Sequence, residues 1–334
     1  MKRRDFMLRG PALAAGLSLG GATAKASAQA ALGGDYPQRP IRILVGYPAG
    51  GGIDTITRLF AERFSATIKQ PVVIENRGGA GGMVAAEALA RAQADGYTLG
   101  MMDSGVLTIQ PNIRKSVAYS ILKDFAYVGL VAKMPLVLVA HPSLPASNLT
   151  EIVRYSKANP TAVVFGSGGG VGNPTHISYE FLKQATGASI LHVAYQGAAP
   201  ALTDLVGGHI ALTFVDVRLA QDYAKDGRVK IIAIGDSRRH PLLPNTPTFD
   251  ESGVPNVAQP PTVGLAGPAS IPKNVVAKLN EAFARLSEDG ELSDTLTRRG
   301  YAPAITRSDD YVALVRSDFE ANRKSMQELK ISLD

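Results

Sequence analysis

The sequence contains no cysteine. That absence excludes disulfides, thiolate nucleophiles, cysteine-ligated zinc, iron–sulfur clusters and the lipid-acceptor cysteine of a lipoprotein. A metal would depend on carboxylates and on the five histidines, His141, His176, His192, His209 and His240, which form no H-E-x-x-H. Nothing in the chain matches the G-x-x-x-x-G-K of a nucleotide-phosphate loop, and neither of its triple-glycine loops falls in the register G-x-G-x-x-G, so no cofactor is expected. The one G-x-S-x-G, at residues 16–20, lies in the N-terminal leader and cannot be the elbow of an α/β hydrolase. Apolar runs are broken by Gly, Pro and charge before they reach the roughly 18 residues of a membrane helix. Of the net charge of +6, the first 30 residues carry +4, leaving +2 for the rest without any Lys/Arg run among aromatics. Nucleic acid is therefore not an expected partner.

What is present is 334 residues, 45% hydrophobic and 19% charged, with 34 Gly and 21 Pro, enough chain for two globular domains. Residues 1–30 have the layout of an export signal: a basic start, a short apolar run over 11–24, and Ala28-Gln29-Ala30 as a small-x-small cleavage site. Arg3-Arg4-Asp5-Phe6-Met7 resembles the twin-arginine pattern, against the plainer alternative of a general secretory signal that happens to hold two arginines. Either route predicts a periplasmic protein, cleaved near Ala30.

Beyond the leader, short β-branched runs alternate with helical periodicity, which predicts an α/β fold with mainly parallel sheets flanked by helices. Strands are expected at Ile41-Arg42-Ile43-Leu44-Val45, Val72-Val73-Ile74-Glu75, 97–102, Ala162-Val163-Val164-Phe165, 191–195, 210–215 and 230–235. Ile56, Leu59, Phe60, Phe64 and Ile68 recur at helical spacing, and a further helix is expected near 83–93. Lys133-Met134-Pro135 interrupts two apolar runs and marks a crossing into a second domain. The proline-rich stretch from Pro241 to Pro268 reads as an extended surface excursion back to the first. Two helices, near 272–287 and 309–329, are expected to close the chain on the first domain. The predicted division is 36–132 with 236–334 as domain 1, and 133–235 as domain 2.

Two distant segments share one pattern. The strand 41–45 runs through Gly50-Gly51-Gly52 into a helix, and the strand 162–165 runs through Gly168-Gly169-Gly170 into another. A helix N-terminus leaves backbone N–H groups unpaired and carries about half a positive charge, so such a unit favours an anion, and glycine removes the Cβ that would keep a ligand away. The plainer reading is that the glycines only make turns. Asp54 is expected to cap the first helix, and Asn173 before Pro174 the second. Ser167 with His176 has the composition of a nucleophile and base, but no catalytic constellation is assembled in the sequence.

With those loops in view, the chain resembles the Bug family of periplasmic solute receptors, the binding component of tripartite tricarboxylate transporters. The likeness runs through Tyr36-Pro-Gln-Arg-Pro40, Pro48-Ala-Gly-Gly-Gly-Ile-Asp54, Glu75-Asn-Arg-Gly-Gly-Ala-Gly-Gly82 and Asp95-Gly-Tyr-Thr-Leu99. It continues through Gly166-Ser-Gly-Gly, His192-Val-Ala-Tyr-Gln-Gly197, Leu205-Val-Gly-Gly208, Pro244-Asn-Thr-Pro-Thr248 and Glu251-Ser-Gly253. The resemblance implies a two-domain periplasmic-binding-protein (Venus flytrap) fold with a small organic carboxylate, mono- or dicarboxylate, in the cleft. It further implies a monomer that delivers its ligand to integral-membrane permease subunits and is not an enzyme. Carried onto this chain, the implied ligand positions are Tyr47, Ala49, Gly50, Gly51 and Ser104 on one side and Ser167, Gly168, Asn173, Tyr195, Gly197 and Asp216 on the other. Gly46 stands where the family often has proline, and Pro260-Pro261-Thr262-Val263-Gly264 lacks a common aromatic. Two alternatives stay open: an exported hydrolase of a carboxylate ester using Ser167 or Ser104, and a carboxylate sensor for a membrane kinase.

Overall fold

A computed structural model describes residues 36–288 and 290–333. The expected export signal, its twin arginines and its cleavage site lie outside the described residues.

Two sheets organise the chain. The first has the order β11-β4-β10-β3-β1-β2 and is built from β1 (Ile41–Val45), β2 (Val72–Asn76), β3 (Thr98–Asp103), β4 (Phe125–Lys133), β10 (Thr262–Pro268) and β11 (Ala302–Pro303). The second has the order β7-β6-β8-β5-β9, from β5 (Leu136–Ala140), β6 (Val164–Gly168), β7 (Leu191–Tyr195), β8 (Leu212–Asp216) and β9 (Lys230–Gly235). Both are mixed, with most strands of each running one way. The β2-β1-β3 and β7-β6-β8 triplets are parallel, β4 and β9 run in the same direction as their triplets, and β10 and β11 in one sheet and β5 in the other run against them. The reason is the connectivity: β4 passes through Lys133-Met134-Pro135 directly into β5, which enters the second sheet against its triplet, and β10 returns to the first sheet between β3 and β4 against both.

Central strands are buried on both faces, as helix-covered strands must be. Ile41, Ile43, Leu44 and Val45 of β1 and all of β5 are buried. Helix α1 (Gly52–Ile68) turns Ile56, Phe60 and Phe64 inward, where Phe60 and Phe64 stack with ring centroids 4.9 Å apart against Phe283 of α8 (Lys273–Glu288). Helix α2 spans Met83–Ala90. A π-helical turn, Gly105–Ile109, leads into the short α3 (Gln110–Ile113). The second sheet carries α4 (Leu149–Ala158), α5 (Pro174–Thr186), α6 (Ala198–Val206) and α7 (Val217–Lys225). Three helices close the chain where two were expected: α8, α9 (Gly290–Arg298) and α10 (Ser308–Leu329). Leu292 and Leu296, one turn apart, bury α9, and Arg63 of α1 pairs with Glu291 at 2.8 Å.

The stretch after β9 differs from expectation. Phe249, Val254, Val257 and Ala258 are buried in the core of the second sheet, and Thr248 bridges Ile234 of β9 in parallel. Its apolar side chains, not its prolines, decide its place: burying a residue such as Phe249 is worth about 2 kcal/mol, more than an exposed path offers.

Candidate functional site

Both parallel triplets end at the same gap. The C-terminal ends of β1, β3, β6 and β8 and the loops after them line one cavity of about 90 Å³, enough for on the order of half a dozen waters or one small acid. Four helix N-termini reach its walls. Gly51, Gly52 and Ile53 bring α1; Asn173, Pro174 and Thr175 bring α5; Gly197, Ala198 and Ala199 bring α6; Asp216 brings α7. The halves nearly touch across it: a Cβ built on Gly197 would lie 3.5 Å from Pro48, and one on Gly169 3.3 Å from the Tyr47 ring.

The four termini differ in what occupies them. Asn173 Oδ1 accepts the N–H groups of Thr175 (2.7 Å) and His176 (3.3 Å), closing α5 with Pro174 as its first helical residue. Asp216 Oδ1 accepts Leu219 N–H at 2.9 Å and closes α7. Gly51 and Gly197 give α1 and α6 no side-chain cap. Their first-turn N–H groups therefore await a partner other than a capping side chain.

Asp54 is not the cap of α1. It sits in the first turn, where its Oδ2 reaches back to Gly50 N–H (2.9 Å) and Arg58 Nε (2.9 Å) and its Oδ1 accepts from Asn76 (2.9 Å). Burial pushes its carboxyl up, but the Arg58, Gly50 and Asn76 hydrogen bonds outweigh that and hold it below the usual range. The Gly50-Gly51-Gly52 loop is thus fastened from below by its own acid.

The second glycine loop is fastened differently. Gly169 and Gly170 both donate their N–H groups to the Tyr195 carbonyl, at 2.9 and 2.7 Å, and Asn173 Nδ2 donates to the Gly170 carbonyl. Gly168 must lack a Cβ, because one would come 2.6 Å from Ala198 Cα and 2.7 Å from Ala198 N. Glycine there lets the end of β6 pass directly under the start of α6. The open amides on this side belong to α6, not to the Gly168-Gly169-Gly170 loop.

Of the residues expected from sequence, the cavity brings together Tyr47, Ala49, Gly51, Gly168, Asn173, Gly197 and Asp216. Gly50, Ser104, Ser167 and Tyr195 are not among its lining. Gly50, at φ +85°, donates its N–H to Asp54. Ser104 Oγ accepts Thr262 N–H at 3.3 Å. Ser167 is fully buried with Oγ 2.7 Å from His192 Nε2, on the face of β6 where Phe165 stacks on Tyr179 of α5. Ser167 does not pair with His176, whose Nδ1 accepts Gly172 N–H at 3.1 Å. Burial, then the neighbouring His192 and Lys183, lowers the His176 pKa to about 4. Tyr195 Oη donates to Asp204 at 2.7 Å, outside the cavity.

The sequence reading missed Asp103, Met134, Leu136, Phe214, Pro261, and Ala198 with Ala199. Asp103 is 1% exposed, with Tyr47 Oη 3.0 Å from Oδ1 and Gly105 N–H donating to Oδ2. Burial pushes its carboxyl up to about 6, against the pull of those two donors. A strand alternates faces, so choosing Ser104 at the end of β3 picked the residue beside the one that faces the cavity. Pro200, tolerated only in a first turn, was the signal that a helix begins at Ala198.

The family model of the tripartite tricarboxylate transporter family receptor matches residues 56–331. Protein BugT of Bordetella pertussis is 30% identical over 286 residues, 85% of this chain and 87% of that protein. An R. palustris protein solved with adipate superposes with a TM-score of 0.84 at 28% identity, covering 89% of this chain and 99% of its own. MatC from Rhodopseudomonas palustris with bound malate gives a TM-score of 0.80 at 29% identity, covering 86% and 99%.

Proposed function

The chain belongs to the tripartite tricarboxylate transporter receptor family, and from that premise we propose that it is a non-enzymatic extracytoplasmic receptor that holds a small organic carboxylate in the cavity between its two sheets. The observation that carries this reading is the pair of uncapped helix N-termini, α1 at Gly51 and α6 at Gly197, brought to one cavity from opposite sides. Backbone N–H groups at such termini suit a carboxylate without any cationic side chain. Among the described residues the cavity has no lysine, arginine or histidine in its lining, so these amides are the anion donors it offers.

Tyr47, Ala49, Gly51, Gly168, Asn173, Gly197 and Asp216 are the ligand positions we retain, joined by Ala198 and Ala199. Two relatives are solved with adipate and with malate, and a small organic carboxylate is the ligand class we infer for this chain. Lys133-Met134-Pro135 and the return to Thr262 are the crossings about which we expect the halves to hinge over the ligand. Residues 1–30 we assign as a cleaved, twin-arginine-type export signal, which makes the mature chain periplasmic; by its family likeness we take it as a monomer with membrane permease subunits as its delivery partner. Among the described residues no helix is long and apolar enough to cross a membrane. The hydrolase alternative has no support at Ser167 or Ser104, since Ser167 is buried against His192, Ser104 accepts the Thr262 N–H, and neither is in the cavity lining. No feature favours a kinase sensor.

Thermal unfolding of the protein with dicarboxylates, aromatic acids, amino acids, sugars and nucleotides tests the reading. A ligand at about one hundred times its dissociation constant adds roughly 2.7 kcal/mol, a shift of several degrees. Carboxylates alone are expected to raise the midpoint. A shift with sugars or nucleotides and none with any carboxylate would overturn the assignment.

A further inference from the structure

The charges around the cavity are unevenly distributed. The N-termini of α5 and α7 are closed by Asn173 and Asp216. Helix α1 already holds the Asp54 carboxylate in its first turn, and Asp216 Oδ2 reaches across to within 3.7 Å of where a Cβ on Gly52 would stand. Helix α6 alone of the four has neither a capping side chain nor an acidic residue in its first turn. The ionisable side chains in the lining are Tyr47 and two carboxyls, Asp103 and Asp216, each more than nine-tenths buried.

Resting on the receptor reading above, we propose that the cavity seats one carboxylate, at the N-terminus of α6, and that Asp216 makes it select acids whose far end carries a hydroxyl or ammonium donor over acids whose far end is a second carboxylate. A helix end carries about half a unit of positive charge. At α6 that charge is uncompensated and meets the ligand; at α1, whose Asp54 is itself paired with Arg58, the Asp216 carboxylate stands beside the helix start. A second carboxylate placed opposite α6 comes to rest beside buried acids with no side-chain cation in the lining, where like charges repel strongly because little water screens them. A hydroxyl or ammonium in the same place donates to Asp216 and converts that repulsion into a charge-assisted hydrogen bond. Between the two ends Met134, Leu136, Phe214 and Pro261 offer an apolar wall for the body of the acid. Burial raises the Asp216 pKa against the pull of the Leu219 and Arg218 N–H groups, in keeping with a carboxyl that lacks a cationic partner.

The test is calorimetric titration of the purified protein at pH 7.5 with matched acids on four-carbon, six-carbon and benzoate scaffolds, each as the simple monocarboxylate, its far-end hydroxy and amino derivatives, and the dicarboxylate. On the scaffold that binds, the hydroxy or amino acid is expected to bind at least tenfold more tightly than the dicarboxylate. Asp216→Asn keeps a side chain able to cap α7 and is expected to narrow that ratio to under threefold, through tighter binding of the dicarboxylate. Asp216→Ser, which also caps, supplies the same comparison should the Asn variant fold poorly. A dicarboxylate that binds the wild type as tightly as its hydroxy analogue, or a ratio unchanged in both variants, overturns the selection by Asp216. Failure of every acid on every scaffold overturns the receptor reading, and this inference with it.

Discussion

The β1–α1 and β6–α5 units look alike in sequence, each a strand, a run of three glycines and a helix, yet they end in opposite chemical states. After β1 the glycine loop is tied back by Asp54 and the helix start at Gly51 stays without a cap. After β6 the loop amides go to the Tyr195 carbonyl and the helix start is closed by Asn173. The open terminus of the second sheet belongs to the next unit, β7–α6, whose cap position is Gly197. Three glycines therefore do not make an anion site. What decides is whether a nearby side chain or carbonyl has already taken the N–H groups.

The sharpest way to break this comparison is to add a Cβ on either side of it. Gly168→Val drives side-chain atoms into the backbone of Ala198, and is expected to lower stability by several kcal/mol and to abolish ligand binding. Gly50→Ala meets nothing within 4 Å and carries only the strain of φ +85°, about 1 kcal/mol, with affinity within about twofold of wild type. Chemical denaturation and titration of the two variants side by side check both.

The halves also titrate in opposite senses. Asp103, raised to about 6 from 3.8, contributes stability that is fully present below pH 3.8 and is lost as pH rises through 6. His176, lowered to about 4 from 6.5, contributes stability that is present above pH 6.5 and is lost as pH falls through 4. Each is worth roughly 3 kcal/mol at its limit by the pKa difference. Asp103→Asn is therefore expected to make unfolding more acid-sensitive between pH 6 and 4, and His176→Gln less so. Equal slopes in the two variants would contradict the assignment.

A smaller effect separates the two open helices. Gly197→Ser and Gly51→Ser each place a hydroxyl at a cap whose backbone already suits one, with no contact closer than 3.5 Å from the new Cβ. Each is expected to raise stability by a few tenths of a kcal/mol. Gly197→Ser is expected to weaken carboxylate binding about tenfold, and Gly51→Ser less, because the Asp216 carboxylate already stands beside the start of α1. Asn173→Ala removes the cap of α5 and one side chain of the cavity lining, and is expected to cost about 1 kcal/mol of stability with a loss of affinity of only a few-fold. Calorimetric melting and titration of the three variants rank them.

The strands and most helices were legible because apolar periodicity is a local property: β1 and α1 follow from Ile41, Ile43, Ile56, Phe60 and Phe64 alone. Sheet polarity was not legible, since the antiparallel course of β10 and β5 depends on where the chain returns after leaving the sheet. The proline-rich stretch was misread because prolines indicate the backbone path, whereas Phe249 and Val257 supply the burial that places it. Within the cavity, Asn173 could be found from cap chemistry, whereas Gly197 came only from the family resemblance. Ser167 could not be excluded, because its fate depends on His192, 25 residues away and on a neighbouring strand.

The most direct measurement is the amide ¹H–¹⁵N spectrum of the labelled protein titrated with the tightest carboxylate. Large shifts and slowed exchange at Ala198 and Ala199, with Gly169 and Gly170 nearly unmoved, are the predicted result. Shifts concentrated at Gly169 and Gly170 with Ala198 and Ala199 unaffected would contradict it, and return the anion site to the second glycine loop.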